Sequence, residues 1–230
     1  MAKLRNQVFG EISGALGDIV FRDYKGTNIA SMRPRNVNIS NSASALIRRA
    51  RFSMAAKLSK AVRGSRDVAI SWVQKTPSNL TTHSYMVQVY YPFVSDVSVS
   101  DMFRITPERN FIVSLSAFDL REKEINVRIN GLTDSSGIDT SVEKNIKLFT
   151  IFFLTSPINP ELAPYSFISL ESGVKTLNLN EELNFVLPLS DVDKMLLISE
   201  YQLRKSYSIA ITLSETGIPV NYSDKIIYTL

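Results

Sequence analysis

From residue 84 onward the chain is built of short apolar runs interrupted by polar turn residues. The runs fall at 85–91, 111–118, 124–129, 147–154, 165–170, 174–179, 183–187, 194–199, 207–213 and 225–230. Several alternate with period two. Ser114 and Ser116 interrupt the run from Phe111 to Ala117, Asn126 and Arg128 the run from Ile125 to Ile129, and Ser208 and Thr212 the run from Tyr207 to Leu213. Successive strand side chains point to opposite faces, so this pattern predicts half-buried antiparallel strands. Asn130-Gly131, Asp134 to Gly137, Pro157 to Pro160, Ser172-Gly173 and Thr216 to Pro219 supply the turns between them. Many short strands without intervening helical patterns predict an antiparallel Greek-key β-sandwich body, and a mainly β fold.

The first third reads differently. Residues 8–33 predict a small β-hairpin or meander turning at Lys25-Gly26, with Gly10, Gly14 and Gly17 at further turns or bulges. Pro34 ends it. A helix is predicted to start among the Ser/Asn caps at 40–42 and to run to about Val62, stopped by Gly64. Ile47, Ala50, Met54, Leu58 and Ala61 form its apolar stripe, while Arg48, Arg49, Arg51, Lys57, Lys60 and Arg63 lie largely off it. Residues 67–75 fit either a strand or a second helix. The single tryptophan, Trp72, is expected to seal the join between this segment and the body.

Charge sharpens the division. Residues 1–75 hold 14 Lys/Arg and 4 Asp/Glu, a net of +10; residues 76–230 hold 12 and 18, a net of −6; together they give +4. Two parts are therefore expected: a basic N-terminal docking segment over 1–75 and an acidic sandwich over 76–230. The helix cations form either a solvated face or a contact with an anionic partner. An acidic protein subunit is favoured over nucleic acid, since aromatic residues are not interleaved with the basic ones. Membrane binding is disfavoured because alanine and serine dilute the apolar face.

Candidate chemistry changes this picture little. There is no cysteine, which excludes disulfides and thiolate ligands. The one histidine, His83, cannot by itself build an ordinary zinc site, no Gly-x-Ser-x-Gly elbow accompanies it, and it reads as a loop residue without a role. The glycines at 10, 14 and 17 precede a β-branched strand rather than a helix, against the order a phosphate-cradling loop requires. The carboxylate pairs Glu122/Glu124, Glu181/Glu182 and Asp191/Asp193 read as solvated turn residues, and Asp191-Val192-Asp193 lacks the denser spacing of a Ca²⁺ loop. No catalytic residue, metal or cofactor is assigned, and no enzyme activity is expected. No apolar run has the length of a membrane span.

The opening Val8-Phe9-Gly10-x-x-Ser13-Gly14-x-x-Gly17-Asp18-x-Val20-Phe21-x-x-Tyr24-Lys25-Gly26, followed by Pro34 and by Arg49-x-Arg51-Phe52, resembles the start of an uncharacterised family encoded by gut-type bacteria and their tailed bacteriophages. That family includes phage structural genes. The resemblance covers about the first quarter of the chain and brings no catalytic residues. It implies a virion or surface structural component, located in the particle after synthesis in the host cytoplasm.

The expected function is thus a non-enzymatic virion structural protein of the neck, connector-ring or capsid-accessory kind. Its partners would be copies of itself in a ring and neighbouring virion proteins. Arg22, Lys25, Arg33, Arg48, Arg49 and Arg51 are the expected docking residues. The alternative is a surface module that binds carbohydrate or protein through sandwich loops, with Tyr90, Tyr91, Phe93 and Tyr165 lining a shallow site.

Overall fold

The computed structural model describes residues 2–3, 13–24, 26–33, 39–133 and 136–230. Its contacts divide the chain into two units, Met1–Ala45 and Leu46–Leu230. The division falls well before the expected boundary at 75/76, because the basic helix is packed into the body.

The first unit is a four-stranded antiparallel sheet of β1 (Ala2–Lys3), β2 (Gly14–Leu16), β3 (Ile19–Tyr24) and β4 (Thr27–Met32), in the order β1-β4-β3-β2. The predicted meander is thus present. Leu16 pairs with Ile19 and Tyr24 with Thr27, so each hairpin closes through two residues. Gly17 (φ 57°) and Gly26 (φ 73°) take the left-handed backbone that such tight turns demand. No described side chain of β2, β3 or β4 is buried.

The second unit begins with three helices: α1 (Ala43–Val62, its first turn drawn from the first unit), α2 (Arg66–Lys75) and α3 (Thr82–Tyr90). Ser65 caps α2 by accepting from the Val68 amide at 3.4 Å, and Thr81 caps α3 by accepting from the Ser84 amide at 3.2 Å. Segment 85–91, expected as a strand, is mostly the helix α3 continued by a 3₁₀ turn at Tyr91–Phe93. Its alternating Tyr85, Val87 and Val89 mimic a strand, but the buried set is Met86, Val87 and Tyr90, the spacing of one helix face.

Strands β5 (Leu115–Leu120), β6 (Glu124–Ile129), β7 (Asn145–Pro157), β8 (Tyr165–Glu171), β9 (Lys175–Thr176) and β10 (Leu183–Pro188) follow. Then come α4 (Asp191–Lys194), a π-helical turn at Met195–Glu200, and β11 (Tyr201–Leu213), β12 (Pro219–Tyr222) and β13 (Ile226–Thr229). Segment 194–199 is therefore helical rather than extended. A capping box between Ser190 and Asp193 starts α4 and accounts for the carboxylate at Asp193.

Two antiparallel sheets face each other. The small one is β10-β6-β5; the large one is β12-β11-β7-β8, with β13 continuing the β12 edge along β11 and β9 continuing the β8 edge along β7. Counting each collinear pair once, this is the strand order of a seven-strand Greek-key sandwich with its fourth strand on the larger sheet. Phe118, Ile125, Val127, Phe185 and Leu187 of the small sheet pack against Leu148, Phe152, Leu154 and Ile168 of the large one. The opposite face of the large sheet, through Phe149, Ile151, Tyr207, Ile209 and Ile211, packs on Met54, Leu58 and Val62 of α1 and on Val68, Trp72, Met86 and Tyr90 of α2 and α3. The body therefore has three layers: helices, large sheet, small sheet. β7 lies between the outer two, and its residues 146–154 are buried at every position, so that strand shows no alternation. Trp72 is 2% exposed and donates from Nε1 to the Ile105 carbonyl at 2.8 Å, which fixes the segment after α3 to α2 inside the body.

Candidate docking surface

Helix α1 sorts its residues by layer contact. Met54, Ala55, Leu58, Ala61 and Val62 face the large sheet and are buried. Ile47, placed on the apolar stripe from its spacing, is 52% exposed, because the sheet-facing set begins further along the helix. At about 100° per residue, Arg49, Ser53, Lys60 and Arg63 fall on the side opposite that set, and Lys57 lies on its flank. All five are exposed.

The middle of this side is concave on both flanks. One concavity, about 680 Å³, is lined by Ser53, Ala56, Lys57, Lys60, Arg63, Gly64 and His83. The other, about 410 Å³, runs from Lys57 and Lys60 across Ala61, Ala163, Tyr165, Ser166, Phe167 and Ser169. No carboxylate lines either. Lys57 is held over the Tyr165 ring, its Nζ 4.4 Å from the centroid. His83 sits in the first turn of α3, correcting the loop reading, and its Nδ1 shares a 3.0 Å hydrogen bond with the Oγ of the buried Ser59. Close approach of α1 to β8 closes the far end. Ser169 Oγ donates to the Ala61 carbonyl at 2.7 Å, and a Cβ at Gly64 would lie 2.9 Å from both the Ala61 oxygen and the Ser169 Cβ.

The predicted docking residues separate. Arg22 and Arg33 are exposed in the first unit, and Arg48 and Arg49 are exposed on α1. Lys25 lies outside the described residues. Arg51 is turned into its own chain: Nε donates to the Tyr91 carbonyl at 3.0 Å and the guanidinium lies 4.4 Å from the Tyr91 ring centroid. Helix phase places it toward the body, which composition alone did not reveal. Lys57, Lys60 and Arg63 were visible as helix cations. Their spacing of three residues, off the buried set, is the signal that singles them out.

A second polar concavity, about 250 Å³, lies around Lys225. Most of its charges are already matched. Lys225 Nζ donates to the carbonyls of Asp101 and Phe103, Lys205 lies 2.6 Å from Asp101, and Arg109 lies 3.0 Å from Asp224. Burial pulls the Lys225 ammonium below its ordinary range, opposed by the nearby Asp101 and Asp224. This cluster staples the 101–109 segment to the sheet edge.

The aromatic residues of the alternative reading do not form one exposed face. Tyr90 is fully buried, edge-on to Trp72 and Phe103, and Tyr165 is 6% exposed. Among the described residues no group of three or more His, Asp or Glu is placed to hold a metal ion, and no helix is long and apolar enough to cross a membrane.

No protein-family model matches the chain, and no curated protein sequence does. Among solved structures, a β-glucosidase from Kluyveromyces marxianus is similar over 53% of this chain and 15% of that enzyme, at 11% identity and a TM-score of 0.20. The N-terminal domain of PorA is similar over 54% of this chain and 88% of that domain, at 13% identity and a TM-score of 0.20. At these scores neither likeness carries an argument about fold or function.

Proposed function

We propose that the chain is a non-enzymatic assembly protein, a bacteriophage virion component of the neck, connector-ring or capsid-accessory kind, that docks through cations of its N-terminal arm and of helix α1. One observation carries this reading. Lys75, Arg109, Arg128, Lys147 and Lys205 each have a carboxylate within 4.0 Å, whereas among the described residues Arg48, Lys57, Lys60 and Arg63 of α1 have none. Other cations of the body, such as Lys123 and Lys175, are also without an ion pair among the described residues. What sets α1 apart is that several exposed cations cluster on one helix with no facing carboxylate, which presents that helix to an anionic surface. The arm supports the same reading. A sheet with no buried side chain in β2, β3 or β4 gains little from folding alone and is stabilised by a covering partner. The resemblance of the first quarter to phage structural proteins is the ground for placing it in a virion.

Charge reversal in the full chain tests the proposal. The variant Arg22→Glu/Arg33→Glu/Arg48→Glu is expected to keep the thermal midpoint of the body. It is expected to lose self-association, or association with the products of neighbouring genes, in native mass measurements. Assembly equal to that of the parent chain would refute it. Removing residues 1–75 is not a usable test, because it deletes α1 and α2 from the core.

A further inference from the structure

We infer that the trough along α1, formed by Lys57, Lys60, Arg63 and His83, is a binding site for the sugar–phosphate backbone of nucleic acid. This goes beyond the docking reading: it assigns Lys57, Lys60 and Arg63, which that reading counts among the uncompensated cations of α1, to nucleic acid, and leaves Arg22, Arg33 and Arg48 to the acidic protein.

The side-chain inventory is that of a phosphate site. Lys57, Lys60 and Arg63 line the concavities with the hydroxyl-bearing Ser53, Ser166 and Ser169, and no aspartate or glutamate is among the lining residues. Lysine ammoniums bind phosphate oxygens as point charges, and the Arg63 guanidinium can bind them through its donor fork. The ring of His83 is oriented by Ser59 through Nδ1, which leaves Nε2 as its remaining polar atom.

The shape favours a polymer over a single anion. Three-residue steps along a helix advance about 4.5 Å each, so the cations form a row about 9 Å long. That length meets two or three phosphates of one strand, whose charges advance about 3.4 Å along the duplex axis. The row has open volume on both flanks, about 680 and 410 Å³. Ala56, Ala61, Gly64 and Ala163 make a floor of small residues between the cations. The rings offer a base little: Tyr165 is 6% exposed and covered by Lys57, and the half-buried Phe167 is stacked on Phe153. The contact is therefore made to the backbone and is independent of sequence.

The test is binding of the full chain to labelled random-sequence duplex DNA over a salt series. Counterion release gives a slope of log K against log salt near −0.9 per phosphate neutralised. The variant Lys57→Gln/Lys60→Gln/Arg63→Gln is expected to reduce the slope by about 2.7 and to weaken all sequences equally. Lys60→Gln/Arg63→Gln, which keeps Lys57 on Tyr165, is expected to reduce it by about 1.8. Two results would overturn the inference: failure of the parent chain to bind DNA or of both variants to lower the slope, and polyglutamate displacing DNA as well as an equal charge of competitor DNA does. The second result would make the trough a protein-carboxylate site. The assembly assay with Arg22, Arg33 and Arg48 reversed reads the docking proposal separately, so either proposal can fail while the other stands.

Discussion

Ser172 and Ser223 stand at opposite edges of the large sheet in the same row, and each uses its hydroxyl in place of a strand carbonyl. Leu148 and Ala210 are direct partners across β7 and β11. The Leu148 amide donates to Ser172 Oγ at 2.9 Å and the Ala210 amide to Ser223 Oγ at 2.8 Å. Each serine hydroxyl then donates to the carbonyl of the next residue, Gly173 or Asp224. Both edge strands thus break at one level, between β8 and β9 and between β12 and β13, without orphaning the central amides. Ser172→Ala or Ser223→Ala leaves a buried N–H unsatisfied and is expected to cost about 1–3 kcal/mol each. Urea unfolding with an unchanged slope and a lowered midpoint checks it. Variants as stable as the parent would show that the hydroxyls are dispensable.

Lys147 joins the helical layer to the central strand. Its Nζ lies 2.6 Å from Asp67 in the first turn of α2 and 3.3 Å from Glu171, with the lysine side chain 10% exposed. Asp67→Asn is expected to cost about 2–3 kcal/mol, less than for a fully buried pair because Glu171 remains. Asp67→Asn combined with Lys147→Met should cost less than the sum of the two single changes. Strict additivity in equilibrium unfolding would mean that the pair is not coupled.

Arg51 is a stability residue rather than a docking one. Arg51→Ala removes both the hydrogen bond to the Tyr91 carbonyl and the contact with its ring, and is expected to cost about 1–2 kcal/mol with assembly unchanged at a temperature where the fold is intact. Loss of assembly at full stability would return Arg51 to the docking surface.

Three tyrosines should resist alkali. Burial pushes the phenols of Tyr90 and Tyr207 upward, with the charge of Asp101 adding to the effect at Tyr207. Burial, then the charge of Asp67, pushes Tyr222 up to about 12. These folded values exceed the unfolded value of about 10, so the unfolded chain loses its protons first. Stability is whole below about pH 10 and falls as pH rises through about 12. Phenolate absorbance followed together with circular dichroism should show a late phase that coincides with unfolding. A single early phase from every tyrosine, with the fold intact, would contradict the buried placement.

The sequence by itself determined the elements whose surroundings are two-sided. The alternating run at 125–129 located β6 at Glu124–Ile129, although its Asn126 is buried, and the apolar run at 183–187 located most of β10, which has one face on the core and one in water. Gly26 marked the turn of the arm, and helical spacing marked α1. It misread α3, whose Tyr85, Val87 and Val89 alternate as in a strand although Ser84 and Gln88 lie one helical turn apart. The tertiary structure alone decided which neighbour each face meets. It turned Arg51 onto Tyr91, set Lys147 of the buried central strand against Asp67, and left Lys57, Lys60 and Arg63 facing outward beside His83. Periodicity states which residues share a side; only packing across distant segments states what that side touches, and therefore which charges are compensated and which remain to bind.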